Sequence, residues 1–202
     1  MRRKEFQITD QEQIQGILER NEWATVAMLD DQGAPYQVTV NPLWFEGAIW
    51  FHSSPGGKKM SCLQRDGRVH LSMVEPLSII PSNFTDPELA CQATQFFLSL
   101  SLEGLASMEE DLQQKARVLQ ALMEKFQPQG GFRPIQAQDP TYQKRIKNTA
   151  LIRVTPKEIS AKFKLGQNLQ PEMMQRVIEA LRQRGQALDH LTIQWMEKCY
   201  PS

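Results

Sequence analysis

The stretch from Tyr36 to Lys59, YQVTVNPLWFEGAIWFHSSPGGKK, constrains this chain more than any other. Val38, Val40, Trp44, Phe45, Ile49, Trp50 and Phe51 are β-branched or aromatic, residue types that suit a pleated surface. They fall in two runs on either side of Glu46-Gly47, where glycine supplies the positive φ that a tight hairpin needs. The second run leads into His52-Ser53-Ser54-Pro55-Gly56-Gly57-Lys58-Lys59-Met60, so that hydroxyls, glycines and two ammonium groups converge just before a predicted helix. The first N–H groups of a helix are unpaired and its dipole is positive there, which makes this turn a candidate anion site. Alone, a Gly-Gly-Lys-Lys run more often marks a solvated turn. The order of segments around it gives it weight.

Before the hairpin, Thr9-Asp10 reads as the cap of a helix carrying Ile14, Ile17 and Leu18 at helical spacing and ending near Asn21. Trp23 to Leu29 reads as a strand, closed by the turn Asp30-Asp31-Gln32-Gly33. After the hairpin, Lys58 to Gln64 forms a short helix, and Val69 to Val74 alternates as a half-buried strand. Glu75 to Pro87 holds Pro76, Pro81 and Pro87 and is expected to be a loop or edge excursion, not a central strand; its Ser82-Asn83-Phe84 could fold over a ligand. Leu98 to Ala106 is a fifth strand, and Glu109 to Phe126 a helix with Leu112, Ala116, Leu119, Met123 and Phe126 on one stripe. Gln127 to Asp139 is irregular, and Asp139-Pro140 restarts a helix through Lys147. Thr149 to Val154 is a sixth strand, which continues or doubles back beyond Pro156 as Ile159 to Lys164. A helix from Pro171 to Arg184 stops at Gly185, and the last helix, His190 to Cys199, presents Leu191, Trp195 and Met196 on its apolar side. Six strands with flanking helices suit a small barrel, with ligands on its rim or between subunits.

Composition removes several function classes. Lys plus Arg equals Asp plus Glu at 23 each, so no global basic field exists to drive nucleic-acid binding. The N-terminal Met1-Arg2-Arg3-Lys4 is basic without an apolar run behind it, and no stretch reaches the ~20 apolar residues of a membrane helix, which places the protein in the cytoplasm. Cys62, Cys91 and Cys199 are odd in number and widely spaced, and read as buried, reduced thiols. His52, His70 and His190 form no metal-ligand motif, so no metal site is expected.

The segments Ala24-Thr25-Val26-Ala27, Gly33-Ala34-Pro35-Tyr36, Phe51-His52-Ser53, Gly57-Lys58-Lys59 and Asp66-Gly67-Arg68-Val69, in this order, resemble the FMN-binding split-barrel superfamily of pyridoxamine 5′-phosphate oxidase-like and nitroimidazole-reductase-like flavoproteins. Lys162-Phe163-Lys164-Leu165-Gly166-Gln167-Asn168 is similar to a Lys-x-x-Gln-Asn element of its transcriptional-repressor-like members. The resemblance implies a mainly β, six-stranded split barrel over residues 1–165, a helical extension over 166–202, and a homodimer that binds FMN. It implies that Lys58, Lys59 and Ser53 hold the phosphate and that His52 touches the phosphate or ribityl chain. Thr25, Val26, Thr39, Val40 and Asn41 would serve the flavin edge, and Lys164, Gln167 and Asn168 would close the site from the second subunit. A small-molecule substrate, with NAD(P)H as a candidate electron donor, goes with that reading. Trp44, Trp50 and Phe97 support the dimer, because one small barrel is not expected to cover aromatics on both faces.

Two departures from the family pattern bear on activity. The oxidases place an arginine early in their second strand where this chain has Val38-Thr39-Val40, and their C-terminal arginine-rich signature is missing, which weakens vitamin B6 oxidation as the reaction. Three readings stay open on the sequence: a flavin-dependent oxidoreductase, a non-enzymatic flavin-binding or transcription-regulatory protein, and a haem-binding barrel with His52, His70 or His190 as axial ligand.

Overall fold

A proline divides the first apolar run in two. In the computed structural model, which describes residues 3–86 and 88–199, strand β3 (Pro35–Val40) ends before Asn41-Pro42 and a separate strand β4 (Leu43–Phe45) follows. The basic Met1-Arg2 and Pro87 of the proline-rich loop lie outside the described residues. Only β4 forms the expected hairpin with β5 (Ala48–Ser53), turning through Glu46 and Gly47 at φ 51° and 73°. Strand β3 pairs instead with β2 (Ala24–Leu29), with Ala24 opposite Val40. Proline donates no ladder hydrogen bond, so Pro42 releases the chain from one partner to reach another.

Among the described residues eight strands pair, two more than expected, the additions being β4 and the two-residue β1 (Gln7–Ile8). With β6 (Arg68–Ile80), β7 (Thr94–Glu109) and β8 (Ala150–Lys164), the order is β3-β2-β6-β7-β8-β5-β4, and β1 pairs β8. Seven flat strands at ~4.8 Å spacing would hold β3 and β4 ~29 Å apart. Val40 and Leu43, however, are three residues apart and separated by at most roughly 11 Å. The sheet therefore curls until its two end strands approach each other, the mainly antiparallel arrangement of a split barrel.

The chain divides into two compact units: Met1–Ile14, Val74–Leu100 and Ser160–Ser202 form one, Gln15–Met73 and Ser101–Ile159 the other. In the second, Trp50 is fully buried with Leu43, Ala48 and Leu151 beneath Val118 and Leu122 of helix α3 (Leu112–Phe126). This corrects the expectation that Trp50 needs a partner subunit to cover it; a helix of the same chain does so. The buried positions of α3 are Lys115, Ala116, Val118 and Leu122, so the stripe expected from periodicity is displaced: of its five residues only Ala116 is buried, and Phe126 is exposed. The cause is that α3 packs on two sides, against strands through Val118 and Leu122 and against helix α4 (Pro140–Asn148) through Ala116.

In the first unit, β6 continues past Pro76 to Ile80, where a loop was expected. Strand β2 pairs β6 only over residues 70–72, and beyond it the Ser78 N–H donates to Thr192 Oγ1 of helix α6 (Asp189–Cys199) at 3.0 Å. Residues 76 and 78 point their backbone groups to the same side, so Pro76 occupies an edge that no strand donates to, where a missing N–H costs little. Helix α5 (Pro171–Arg184) ends at Gly185, φ 62°, as expected. Helix α6 buries Thr192, Ile193 and Met196 and leaves Leu191 exposed, a rotation from the expected face. Cys62 is buried, but Cys91 is exposed and Cys199 half-buried, so the expectation of three buried thiols holds for one. Among the described residues, no helix is long and apolar enough to cross a membrane.

Candidate functional site

Helix α2 (Lys58–Arg65) starts at Gly57, whose φ of 100° and ψ of 169° no ordinary L-residue adopts readily, and no side chain caps it. The Gly57 carbonyl already accepts from the Ser61 N–H at 3.1 Å, so the amides of Lys58, Lys59 and Met60 form the open first turn. Lys58 Nζ lies 3.0 Å from Asp30 Oδ2 and 4.7 Å from the centre of the Tyr36 ring. The Asp30 carboxylate also accepts from the N–H groups of Gln32 (3.1 Å) and Ala34 (2.9 Å). Lys58 first, then the Ala34 amide, holds the Asp30 carboxyl below its ordinary range, and Asp30 in turn raises Lys58. Lys59 lies with its ammonium 5.7 Å from the ring centre of buried Phe51, and burial pushes its pKa down. At the other end of α2, Arg65 Nη2 donates to the Leu29 carbonyl at 3.1 Å, which ties the helix to the end of β2.

His52 and Ser53 end β5, opposite Leu151 and Ala150, with His52 exposed and Ser53 half-buried. Thr25 faces Thr39 on one side and Ser72 on the other, which sets three hydroxyl side chains in a row across β3, β2 and β6. The next row is Gln37, Ala27 and His70, with the His70 Nε2 against Ser101 Oγ. Val26 and Val40 point the other way, into the core, and contribute only backbone that belongs to strands. The Asn41 side chain is partly committed, its Nδ2 donating to the Glu22 carbonyl at 2.8 Å. His52, His70 and His190 are all exposed.

Lys164, Gln167 and Asn168 belong to the other unit. The Gln167 amide is used within its own turn: Oε1 accepts from the Leu165 N–H (2.8 Å) and Nε2 donates to the Phe163 carbonyl (2.6 Å), around Gly166 at φ 89°. Lys164 contacts Thr94 Oγ1, and burial, then Lys162 and Arg3, lower its pKa. Together with Arg3, Thr94 and Asn168 it lines a cavity of about 220 Å3.

Sequence reasoning missed Asp30, Tyr36 and Ser72. Asp30 and Tyr36 read as turn and strand because nothing local in the sequence reports their contacts with Lys58, which for Asp30 lies 28 residues away. Ser72 was accessible in principle from the period-two alternation of Val69 to Val74, which puts His70 and Ser72 on the outward face.

The family model described as pyridoxamine 5′-phosphate oxidase matches residues 10–163. No protein of curated function matches the chain. Among solved structures, the flavocytochrome Anf3 from Azotobacter vinelandii is similar with a TM-score of 0.65 at 21% identity, covering 79% of this chain and 69% of that one. The FAD and haem binding protein from Mycobacterium smegmatis gives 0.65 at 18% identity, over 78% and 73%. A conserved hypothetical protein from Mycobacterium tuberculosis gives 0.64 at 16% identity, over 83% and 92%. At these identities the likeness is one of fold. With the family match running from the first helix into the last strand and the curled sheet agreeing with it, the chain belongs to the pyridoxamine 5′-phosphate oxidase family of split-barrel proteins.

Proposed function

We propose that this protein binds FMN at the start of α2 and acts as a homodimeric, flavin-dependent oxidoreductase on a small molecule. The observation that carries the reading is that Lys58 and Lys59 open the uncapped first turn of α2 behind Gly57. This donor set fits a phosphate: two ammonium groups offer charge-assisted hydrogen bonds, and the backbone amides of the turn add fixed partial charge. In this reading Lys58 and Lys59 hold the phosphate, with Ser53 and His52 as neighbouring donors. Thr25, Thr39 and the Asn41 Oδ1 offer hydrogen bonds to the polar edge of the ring. Bound FMN would supply reversible electron and hydride transfer, and the chain's own residues bind and orient it. Family membership and the likeness to a flavocytochrome and to an FAD and haem binding protein support the flavin reading over an empty barrel.

The absorption spectrum of the purified protein tests the proposal. Flavin bands, with FMN released on denaturation, are expected; a Soret band would replace the reading by a haem-binding one, and a colourless protein that cannot be loaded with FMN would end it. Oxidation of NAD(P)H by the loaded protein then separates an enzyme from a binder.

A further inference from the structure

Lys115 is the one lysine among the described buried polar residues, with 4% of its surface exposed. Its position on α3 lies between Leu112 and Val118, three residues from each, so the helix points it inward beside core residues. Among the described residues no buried side-chain nitrogen or oxygen lacks a hydrogen-bond partner, so the Lys115 stem is buried while its ammonium, which makes no hydrogen bond or ion pair, reaches solvent. Long cationic side chains commonly pack their stems on apolar neighbours in this way and hold the charged head where a soluble ligand can meet it.

That side chain lines a cavity of about 570 Å3 between the start of α3 and helix α4, with Glu110, Leu112, Gln143, Lys144 and Lys147. Three lysines against one glutamate leave the lining with an excess of positive charge. The other two carboxylates of the acidic run before α3 are turned onto backbone: Glu109 accepts from the Asp111 N–H at 2.8 Å, and Asp111 caps the helix through the Gln114 N–H at 2.7 Å. Neither is therefore engaged with a lysine of the cavity.

We infer that this cavity is a second anion site, separate from the start of α2, which takes a phosphorylated small molecule with the phosphate on the Lys115, Lys144 and Lys147 ammonium groups. Ammonium groups act as point charges that suit a compact phosphate, whereas planar carboxylates are better matched by guanidinium forks, which the lining lacks. The volume lies within the range of small-molecule sites, on the order of 300–1,000 Å3, and exceeds what a bare ion would fill. Gln143 adds an amide and Leu112 an apolar wall for the remainder of the molecule.

Calorimetric titration of the full-length protein with pyrophosphate, inorganic phosphate and AMP tests this. Saturable binding is expected for pyrophosphate and AMP, tighter than for inorganic phosphate, and weakening as salt rises. Lys115→Met, which keeps the length of the side chain and removes its charge, should weaken pyrophosphate at least tenfold. The exposed pair Lys144→Gln/Lys147→Gln should do the same and decides the matter alone if Lys115→Met does not fold. Lys58→Ala/Lys59→Ala should leave pyrophosphate binding at this cavity unchanged, which separates it from the proposed FMN site. Absence of saturable binding, equal binding by wild type and the Lys144/Lys147 variant, or loss of binding only in the Lys58/Lys59 variant would each overturn the assignment.

Discussion

The Lys58 ammonium sits 3.0 Å from the Asp30 carboxylate, across 28 residues of sequence, and so the start of α2 is tethered to the turn that ends β2. Asp30 is also held by two backbone N–H groups, so its position does not depend on Lys58 alone. The Lys58 side chain is half exposed, so solvent screens the pair and it contributes little to stability. Removing Lys58 should therefore disturb ligand binding more than folding.

In the double variant Lys58→Ala/Lys59→Ala, FMN affinity should fall more than tenfold, because each lost charge-assisted hydrogen bond costs roughly 1.5–3 kcal/mol and about 1.4 kcal/mol is a factor of ten. Riboflavin, lacking the phosphate, should be nearly indifferent. Fluorescence titration of both ligands checks this; equal weakening would place the lysines at the ring or in the fold instead of on the phosphate.

A pH prediction follows from the link between α5 and α6. Arg184 donates to both oxygens of buried Asp189, at 2.6 and 2.9 Å, and Ser78 Oγ donates to the same carboxylate at 2.6 Å. Arg184 chiefly, then Ser78, lowers the Asp189 pKa to about 2 from an ordinary 3.8. The native state thus binds fewer protons than the unfolded chain between those values, so the stabilisation is complete above about pH 4 and is lost as pH falls towards 2. Asp189→Asn should cost on the order of 3 kcal/mol near neutrality. Urea unfolding of wild type and variant at about pH 6 and about pH 3 should show the difference shrinking in acid.

Gly104 lies where β7 approaches β8 closely: a Cβ there would come within 2.7 Å of the Thr155 carbonyl oxygen and of Val154 Cγ1. The backbone cannot give way as a flexible side-chain tip would, so Gly104→Ala should destabilise by about 1–3 kcal/mol. At about 2–4 °C per kcal/mol for a chain of this size, thermal unfolding should shift down by several degrees. An unchanged midpoint would mean that β7 and β8 are further apart than the structure places them.

Other exposed apolar side chains support the dimer proposal in place of Trp50. Trp50 is enclosed by α3, whereas Ile79 and Leu105 are more than half exposed, as is Trp23. Sedimentation should give a dimer at micromolar protein. A stable monomer that still binds FMN would sink the shared-site reading.

Local sequence determined most of the elements and their ends. Glu46-Gly47 specifies its hairpin turn through the φ that glycine allows, Asp139-Pro140 and Gln170-Pro171 start helices, and Gly185 stops one. These are decisions of backbone sterics and nearest neighbours, and they are written where they act. The start of α2 was legible for the same reason, since Gly56-Gly57-Lys58-Lys59 is contiguous. Partnership was decided only by the tertiary structure. Pro42 reads as a break in either case, but that β3 turns to β2 while β4 turns to β5 depends on how the sheet curls. Pro76 argued for a loop until an edge facing Thr192 made a strand tolerable there. Helical periodicity alone cannot say which of two neighbours a helix faces, which is why α3 hid Val118 and Leu122, and with them Lys115, behind an expected stripe that is mostly half-exposed. The Asp30–Lys58 and Arg184–Asp189 pairs are electrostatic, and charges respond to distance in space, a quantity that spacing along the chain does not carry.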